Sequence, residues 1–229
     1  MKVFIGVDLQ RDFMYPNGAL YVKESENILD NIYRAHTRLA GSKLILTLDS
    51  HTKDSAEISD TPDFIDTFPP HCMENTRGAD LIREVDNMID GRIPHCGYVS
   101  YDTPADKLTM ASNVIFIKKD NVSAFANNPN VVELFTKMMA NDVIEFFVFG
   151  VATEFCVKAM VEGLYGLIQK MPDKSKYSIT VIEDMIAGIN NEKCGELFKV
   201  WETMGIRFDW SSFLNDAPNV SLISEEDYK

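Results

Sequence analysis

The sequence predicts an α/β protein of three layers, in which a doubly wound, mostly parallel sheet of Rossmann-like form lies between two layers of helices. Short apolar segments alternate along the chain with longer segments of helical character, and this alternation is typical of parallel sheets covered by helices on both faces. The run from Phe146 to Phe149 is apolar throughout, which indicates a strand buried on both faces.

The individual elements follow from these patterns. We expect strands at Val3–Leu9, Lys43–Asp49, Val114–Lys118, Ile144–Gly150, Ser178–Glu183 and Ile206–Trp210. We expect helices near Glu26–Ala40, Asn130–Asn141, Glu154–Lys170 and Asn191–Met204. Two segments, residues 50–70 and 91–111, fit no βα unit, and long loops in a compact domain are more often functional than idle.

Length and composition define the broad class of protein. The 229 residues predict one domain over residues 1–216, followed by a polar, flexible tail at 217–229. A net charge of −13 argues against nucleic acid or an anionic membrane as a partner. The sequence has no apolar run long enough to span a bilayer. Its four cysteines without framework spacing favour reduced thiols in a cytoplasmic protein.

Chemistry-bearing residues follow four of the predicted strands. Asp8 and Asp49 come at the ends of the first two, Lys118 and Lys119 end the third, and Cys156 lies shortly beyond the fourth. Because ligands of doubly wound sheets bind outside the carboxyl ends of the strands, these side chains are expected to meet in one crevice.

Cys156 is the candidate nucleophile. It lies within the first turns of a predicted helix after a turn at Gly150, where the helix dipole favours a thiolate and backbone N–H groups are available to an oxyanion. Asp8 is then the candidate base and Lys119 the cation that lowers the pKa of the thiol. The alternatives are a small buried cysteine, a strand-end aspartate and a solvated surface lysine.

Asp49, His51 and His71 form a candidate metal site. After a strand, the one-residue gap between Asp49 and His51 puts both side chains on the same side of the backbone. Two histidines and a carboxylate suit Zn²⁺, Mn²⁺ or Fe²⁺. A rival site from the pairs His71-Cys72 and His95-Cys96 is less favoured because it lacks the spacing of a structural zinc site.

Five segments resemble the isochorismatase-like cysteine hydrolases, and among them the nicotinamidase branch. They are GVDLQRDF (6–13), LTLDSHTKD (46–54), FPPHCMENTRGADL (68–81), IKKDNVSAF (117–125) and GVATEFCV (150–157). The resemblance implies catalytic roles for Asp8, Lys119 and Cys156. It also implies a divalent metal, zinc before manganese or iron, held by Asp49, His51 and His71.

The resemblance further implies how the substrate is held. In this family the bond that corresponds to Val151–Ala152 is cis, and the N–H groups of Ala152 and Cys156 form the oxyanion hole. Phe13, Phe68 and Val151 would contact the substrate, a small amide that is hydrolysed through a Cys thioester. For the chain as a whole, the resemblance favours a homo-oligomer with a role in NAD salvage.

Other functions stay open at this stage. The gap between Lys119 and the Ser-Ala-Phe segment is short, as in isochorismatase, although vinyl ether cleavage by isochorismatase needs no thiol. A hydrolase of another small amide, such as an N-carbamoyl compound, and a catalytically silent binding protein are further alternatives. A nucleotide-binding Rossmann domain is disfavoured because residues 8–13 contain no glycine cradle for a phosphate.

Overall fold

A parallel seven-stranded sheet forms the centre of the molecule, which is described here from a computed structural model for residues 1–89 and 96–214. The strands are β1 (Lys2–Val7), β2 (Lys43–Asp49), β3 (Cys96–Val99), β4 (Val114–Lys119), β5 (Ile144–Val151), β6 (Tyr177–Ala187) and β7 (Arg207–Asp209). They are ordered β3-β4-β2-β1-β5-β6-β7, and every neighbouring pair is parallel. The predicted fold class is confirmed.

Helices flank this sheet. The α-helices are α1 (Arg11–Met14), α2 (Leu29–Gly41), α3 (Arg83–Ile89), α4 (Lys107–Ala111), α5 (Pro129–Asn141), α6 (Lys158–Lys170) and α7 (Asn191–Thr203). A π-helical segment, Thr153–Val157, leads directly into α6, so the helix predicted from Glu154 begins with a wider turn. Helices α2 and α3 contact each other, and so do α5 and α6.

Side-chain caps explain where two of the long helices begin. The side chain of Asn128 accepts a hydrogen bond from the N–H of Val131, and Pro129 occupies the first turn of α5, where its missing N–H costs nothing. At the start of α7, Asn190 accepts in the same way from the N–H of Lys193, at 3.0 Å. Asn190 and Lys193 also line a cavity.

The central strands are buried on both faces. All residues of β1 after Lys2 are buried, and in β5 only Glu145 is exposed. Such burial explains the continuous apolar runs in the sequence, since parallel strands between helices have no solvent face. At the end of β5, Gly150 has a φ of 115°, and a Cβ there would lie 2.1 Å from the carbonyl oxygen of Val7. Only glycine fits this approach between β1 and β5.

Strand β6 and the segment 91–111 differ from the prediction. Strand β6 runs on to Ala187 instead of ending at Glu183, past a register shift opposite Val148 and Gly150 of β5. Within the segment 91–111, the described residues form the short edge strand β3, a loop and the helix α4, so the expectation that this segment fits no βα unit was wrong. Elements of four and five residues are too short to show a clear periodicity in the sequence.

Some predictions lie outside the described residues. The tail at 217–229 and His95 of the rival metal pair both belong to the undescribed parts of the chain. Within the described ranges, no helix is long and apolar enough to cross a membrane. A single domain over residues 1–216 stays a prediction.

Candidate active site

Four neighbouring strands bring the candidate catalytic residues to one edge of the sheet. In the order β4, β2, β1 and β5, the carboxyl ends carry Lys119, Asp49, Asp8 and the segment that contains Cys156. Asp49 and Lys119 are direct register partners in the β2–β4 pair. The expected convergence of these four residues in one crevice is therefore observed.

The ammonium of Lys119 connects the other three groups. Its Nζ lies 2.7 Å from Asp49 Oδ1 and 2.8 Å from Asp8 Oδ2, and it donates to Cys156 Sγ at 3.6 Å. All four residues are buried, so these interactions are only weakly screened by solvent. Lys119 is therefore a buried cation in contact with two carboxylates and a thiol, and the alternative of a solvated surface lysine does not hold.

The backbone and a neighbouring hydroxyl hold Asp8 in place. Asp8 has a φ of 49°, in the left-handed region, which turns the chain sharply at the end of β1. Its N–H donates to Thr47 Oγ1 at 3.1 Å, and the Thr47 hydroxyl donates to Asp8 Oδ1 at 2.5 Å. Burial, supported by the nearby charge of Asp49, raises the pKa of Asp8, although Lys119 opposes this shift.

Asp49 and Lys119 are held in their charged forms. Burial by itself would raise the pKa of Asp49, but the charge of Lys119 and contacts from His51 and His71 bring it well below its usual range. Burial would likewise lower the pKa of Lys119, and the charges of Asp49 and Asp8 instead raise it well above its usual range. The site therefore contains a fixed carboxylate, a fixed ammonium and a carboxyl group that titrates more readily.

Cys156 lies in the π-helical segment immediately after a cis bond between Val151 and Ala152. The cis bond that the family resemblance implied is thus present. Cys156 is only 9 % exposed, and burial raises the pKa of its thiol well above the usual value, with Lys119 opposing and Asp8 and Asp49 adding to the shift. Lys119 lowers this pKa as expected, but the expected net decrease was wrong, because desolvation outweighs the effect of the ammonium. A raised pKa favours the protonated thiol over the thiolate.

Asp49, His51 and His71 form a compact group of metal-ligand type. Asp49 Oδ2 lies 3.5 Å from His51 Nε2 and 3.6 Å from His71 Nε2, and one ligand atom from each residue falls within 4.8 Å of the others. The ring of His71 is oriented by its Nδ1, which lies 2.8 Å from the carbonyl oxygen of Pro69. An Nδ1–H that donates to this carbonyl leaves Nε2 with a lone pair directed at the group.

The hydrogen bonding of His51 tests whether a metal ion fits. His51 is fully buried, and among the described residues neither of its ring nitrogens has a hydrogen-bond partner. A buried imidazole without partners is costly, and a divalent ion next to Asp49 and His71 would satisfy one of its nitrogens. The donor set is that of a catalytic zinc site, which keeps a position open for water or substrate.

A side chain that the sequence interpretation missed holds Asp49 from behind. Gln10 is fully buried and accepts the N–H of Asp49 at 2.7 Å, while its amide donates to the carbonyl oxygens of Asp49, at 2.8 Å, and Ala79, at 2.9 Å. All of these contacts are to backbone, so Gln10 fixes the position of Asp49 without taking up its carboxylate. Gln10 lies in the segment 6–13 that carries the family resemblance, but the sequence does not show that its side chain is buried against Asp49.

A cavity of about 350 Å³ leads to this group. At its inner end lie Asp49, His71, Ala152 and Cys156, so the thiol and the metal-type group open into the same space. Most of the remaining lining is apolar or aromatic, which suits a small, flat and largely apolar ligand.

Aromatic side chains form the cavity wall next to His71. Phe13 and Phe68 contact the His71 ring edge-on, with centroids 5.3 Å and 6.1 Å apart. Phe155, which the sequence interpretation did not select, contacts Phe68 at 5.8 Å. Of the predicted substrate contacts, Phe13 and Phe68 line the cavity, whereas Val151 is fully buried and lies outside the lining, where Ala152 takes its place.

Polar residues of the cavity came from segments without a motif. Glu57 lies in the polar loop 50–70, accepts the N–H of Val122 at 2.6 Å, and has a pKa raised by burial. The turn before α7 contributes Ile189 and Asn190, and the first turn of α7 contributes Lys193. The length of the 50–70 loop indicated that it was functional, but nothing in the sequence indicated which of its residues faces the site.

Comparison with known proteins confirms the predicted resemblance to isochorismatase-like hydrolases and nicotinamidases. The chain is 24 % identical over 217 residues to the nicotinamidase/pyrazinamidase of Mycobacterium tuberculosis, which covers 93 % of this chain and 100 % of that protein. No model of a known protein family matches the chain.

Solved structures share the fold. A pyrazinamidase of Pyrococcus horikoshii in complex with zinc is 21 % identical to this chain, with a TM-score of 0.61. The match covers 91 % of this chain and 98 % of the pyrazinamidase chain. An isochorismatase-like hydrolase from Alkaliphilus metalliredigens is 17 % identical to this chain, with a TM-score of 0.63. The match covers 93 % of this chain and 96 % of the hydrolase chain. At these identities the likeness establishes the fold.

Proposed function

We propose that the protein is a metal-containing cysteine amidohydrolase that converts nicotinamide to nicotinate and ammonia through a thioester on Cys156. The observation that carries this proposal is the position of Lys119 Nζ, within 2.8 Å of Asp8, 2.7 Å of Asp49 and 3.6 Å of Cys156 Sγ, at the inner end of a cavity lined by aromatic residues. The relative from Mycobacterium tuberculosis, named a nicotinamidase/pyrazinamidase, supports the substrate class.

The first half of the reaction is acylation. Because the resting Cys156 is a thiol, Asp8 takes its proton as the sulfur attacks the carboxamide carbon. The resulting oxyanion accepts hydrogen bonds from the N–H groups of Ala152 and Cys156. When the carbon–nitrogen bond breaks, Asp8 returns the proton to the departing nitrogen, so ammonia leaves and the acyl group stays on sulfur.

The second half is hydrolysis of the thioester. Asp8, again ionised, removes a proton from a water molecule that attacks the acyl carbon. The oxyanion forms at the same N–H groups and collapses, and the carbon–sulfur bond breaks. The thiolate recovers the proton held by Asp8, and the nicotinic acid that leaves gives its remaining carboxyl proton to solvent and becomes nicotinate. Lys119 stabilises each anionic form of Cys156 and Asp8 without giving up its own proton, because two carboxylates raise its pKa.

Asp49, His51 and His71 would hold the divalent ion. When bound there, the ion supplies an electrophilic site for the ring nitrogen of the pyridine. Zinc is favoured by the two histidines and one carboxylate, and a structural neighbour of this chain was solved with zinc. Phe13 and Phe68, which both touch the ring of His71, would then face the pyridine on the cavity side.

An enzyme of this type would supply nicotinate to pyridine nucleotide biosynthesis, and we place it in NAD salvage in the cytoplasm. Four cysteines without the spacing of a disulfide framework favour this compartment. The family resemblance favours a homo-oligomer.

A panel of amides tests the substrate. Nicotinamide should be hydrolysed in preference to benzamide, which has the same ring size and carboxamide but no ring nitrogen. Product acids are quantified by chromatography at equal enzyme concentration. Equal rates on the two amides would show that the ring nitrogen is not recognised. Faster hydrolysis of an N-carbamoyl compound would show that this compound, and not nicotinamide, is the preferred substrate.

A further inference from the structure

We propose that Glu154 is a positioning residue, which holds the outer wall of the cavity against the nucleophile segment and thereby sets how tightly an aromatic amide binds. The identity of that amide rests on the proposed function. The wall itself consists of the turn between β6 and α7, at residues 188–190, and the first turn of α7.

The Glu154 carboxylate is the acceptor on which this turn converges. It accepts the N–H of Ile189 at 3.0 Å and the N–H of Asn190 at 2.7 Å. The thiol of Cys194, one helical turn further along, donates to the same carboxylate at 3.6 Å. Three donors share this one acceptor, so Glu154 holds both the turn and the first helical turn of α7.

Close packing shows that this contact is built into the fold. Gly188 lies so near to Glu154 that a Cβ at this position would be 2.7 Å from Glu154 Oε2 and 2.4 Å from Cys194 Sγ. A side chain at 188 would therefore displace the carboxylate or the thiol. Glycine is needed here for close approach, and the approach brings the turn within hydrogen-bond distance of Glu154.

The turn that Glu154 holds lines the same cavity as the nucleophile. Ile189, Asn190 and Lys193 lie in the lining together with Cys156. The side chain of Asn190 also caps α7 by accepting the N–H of Lys193, so a shift of the turn would move Lys193 with it. Glu154 is two residues before Cys156, and it therefore couples the position of this wall to the position of the sulfur.

These contacts indicate an effect on binding rather than on chemistry. Glu154 is already engaged by the turn, whereas Asp8 and Lys119 are the charged groups next to Cys156 Sγ. Without the carboxylate, two backbone N–H groups lose their acceptor and the wall can move away. Loss of a wall contact that is equal in the ground and transition states raises KM and leaves kcat unchanged.

Two variants and one control test the proposal. Glu154→Ala removes the acceptor, and Glu154→Gln keeps the shape of the side chain without its carboxylate. Glu196→Ala, at an exposed glutamate of α7, is the control. The first readout is kcat and KM for nicotinamide. The second is the ratio of labelling rates at Cys156 for N-benzyl iodoacetamide and iodoacetamide, quantified on the Cys156 peptide by mass spectrometry.

We expect Glu154→Ala to raise KM by about tenfold, with kcat within about a factor of three. The preference of Cys156 for the aromatic reagent should fall by a similar factor. For Glu154→Gln, KM and the labelling ratio should lie between those of the parent and of Glu154→Ala. Both values for Glu196→Ala should match the parent. An unchanged KM and labelling ratio in Glu154→Ala would overturn the proposal, as would a loss in kcat with KM unchanged.

The labelling ratio keeps this test independent of the proposed substrate. If the parent protein releases no ammonia from nicotinamide, the proposed function fails, while the labelling ratio still decides the role of Glu154. If Glu154→Ala does not fold, the isosteric Glu154→Gln decides it by the same two readouts. An unchanged ratio in a folded Glu154→Gln would then contradict the positioning role.

Discussion

The ammonium of Lys119 lies 2.8 Å from Asp8 Oδ2 at a depth where both side chains are almost fully buried. A buried ion pair loses much of its attraction to desolvation, and this one is supported by a second carboxylate, Asp49, at 2.7 Å. The pKa values of the two carboxyl groups shift in opposite directions. Burial raises the pKa of Asp8, while Lys119 and two histidines lower the pKa of Asp49. Asp8 is thereby suited to exchange protons and Asp49 to hold a cation.

The first prediction concerns Asp8. Asp8→Asn keeps the size of the side chain and removes its ability to take a proton from Cys156. We expect kcat for nicotinamide to fall by about 10²- to 10⁴-fold, which is the usual contribution of a general acid–base. Binding of nicotinate, measured by calorimetry, should stay within a few-fold of the parent. An unaffected kcat would exclude Asp8 as the base.

The second prediction concerns the metal-type group. Replacement of both His51 and His71 by alanine leaves Asp49 as the one remaining ligand of the group. The double variant should lose its divalent ion, as measured by elemental analysis of the purified protein, and KM for nicotinamide should rise by at least about tenfold. Full metal occupancy in the double variant would show that the ligands are other residues.

The third prediction concerns Gln10, which holds the backbone of Asp49. Gln10→Ala leaves buried N–H and carbonyl groups without partners, at a cost of about 1–3 kcal/mol in the free energy of unfolding. Freed from this support, Asp49 should bind zinc about 10- to 100-fold more weakly, which competition with a chromogenic chelator would measure. Gln169→Ala, at an exposed glutamine, is the matched control and should change neither quantity.

The fourth prediction concerns pH. Burial raises the pKa of the Cys156 thiol, so the reactive thiolate is a minor form at neutral pH and grows as pH rises. In the presence of a chelator, the rate of iodoacetamide labelling at Cys156 should increase continuously from pH 6.5 through about 8.5, the pKa of an ordinary thiol. A plateau reached by pH 7 would mean that the thiolate already dominates there.

The strand-end residues were predictable because of a general rule of parallel sheets. Adjacent strands place their carboxyl ends together, so Asp8, Asp49, Lys119 and Cys156 could be assigned to one crevice before any contact was known. The direction of the pKa shift at Cys156 was not predictable, since it depends on how deeply the thiol is buried. A helix start in the sequence carries no information on burial depth.

The outer cavity was least accessible to sequence analysis. Ile189, Asn190 and Lys193 reach the site because β6 continues to Ala187 and the next turn folds onto Glu154. The polar pair Glu183 and Asp184 interrupts the apolar pattern of β6, which ended the predicted strand too early. Contacts between a turn and a distant carboxylate leave no periodicity in the sequence and emerge only from the folded chain.

Ammonia release from nicotinamide by the purified protein tests the central claim most directly, with Cys156→Ala and a chelator-treated sample measured in parallel. The account predicts that the parent protein releases ammonia, that Cys156→Ala stays folded but loses at least about 10⁴-fold in rate, and that chelation suppresses turnover until zinc is restored. Undiminished ammonia release by Cys156→Ala would contradict the account, because the reaction would then proceed without the thiol that is proposed as the nucleophile.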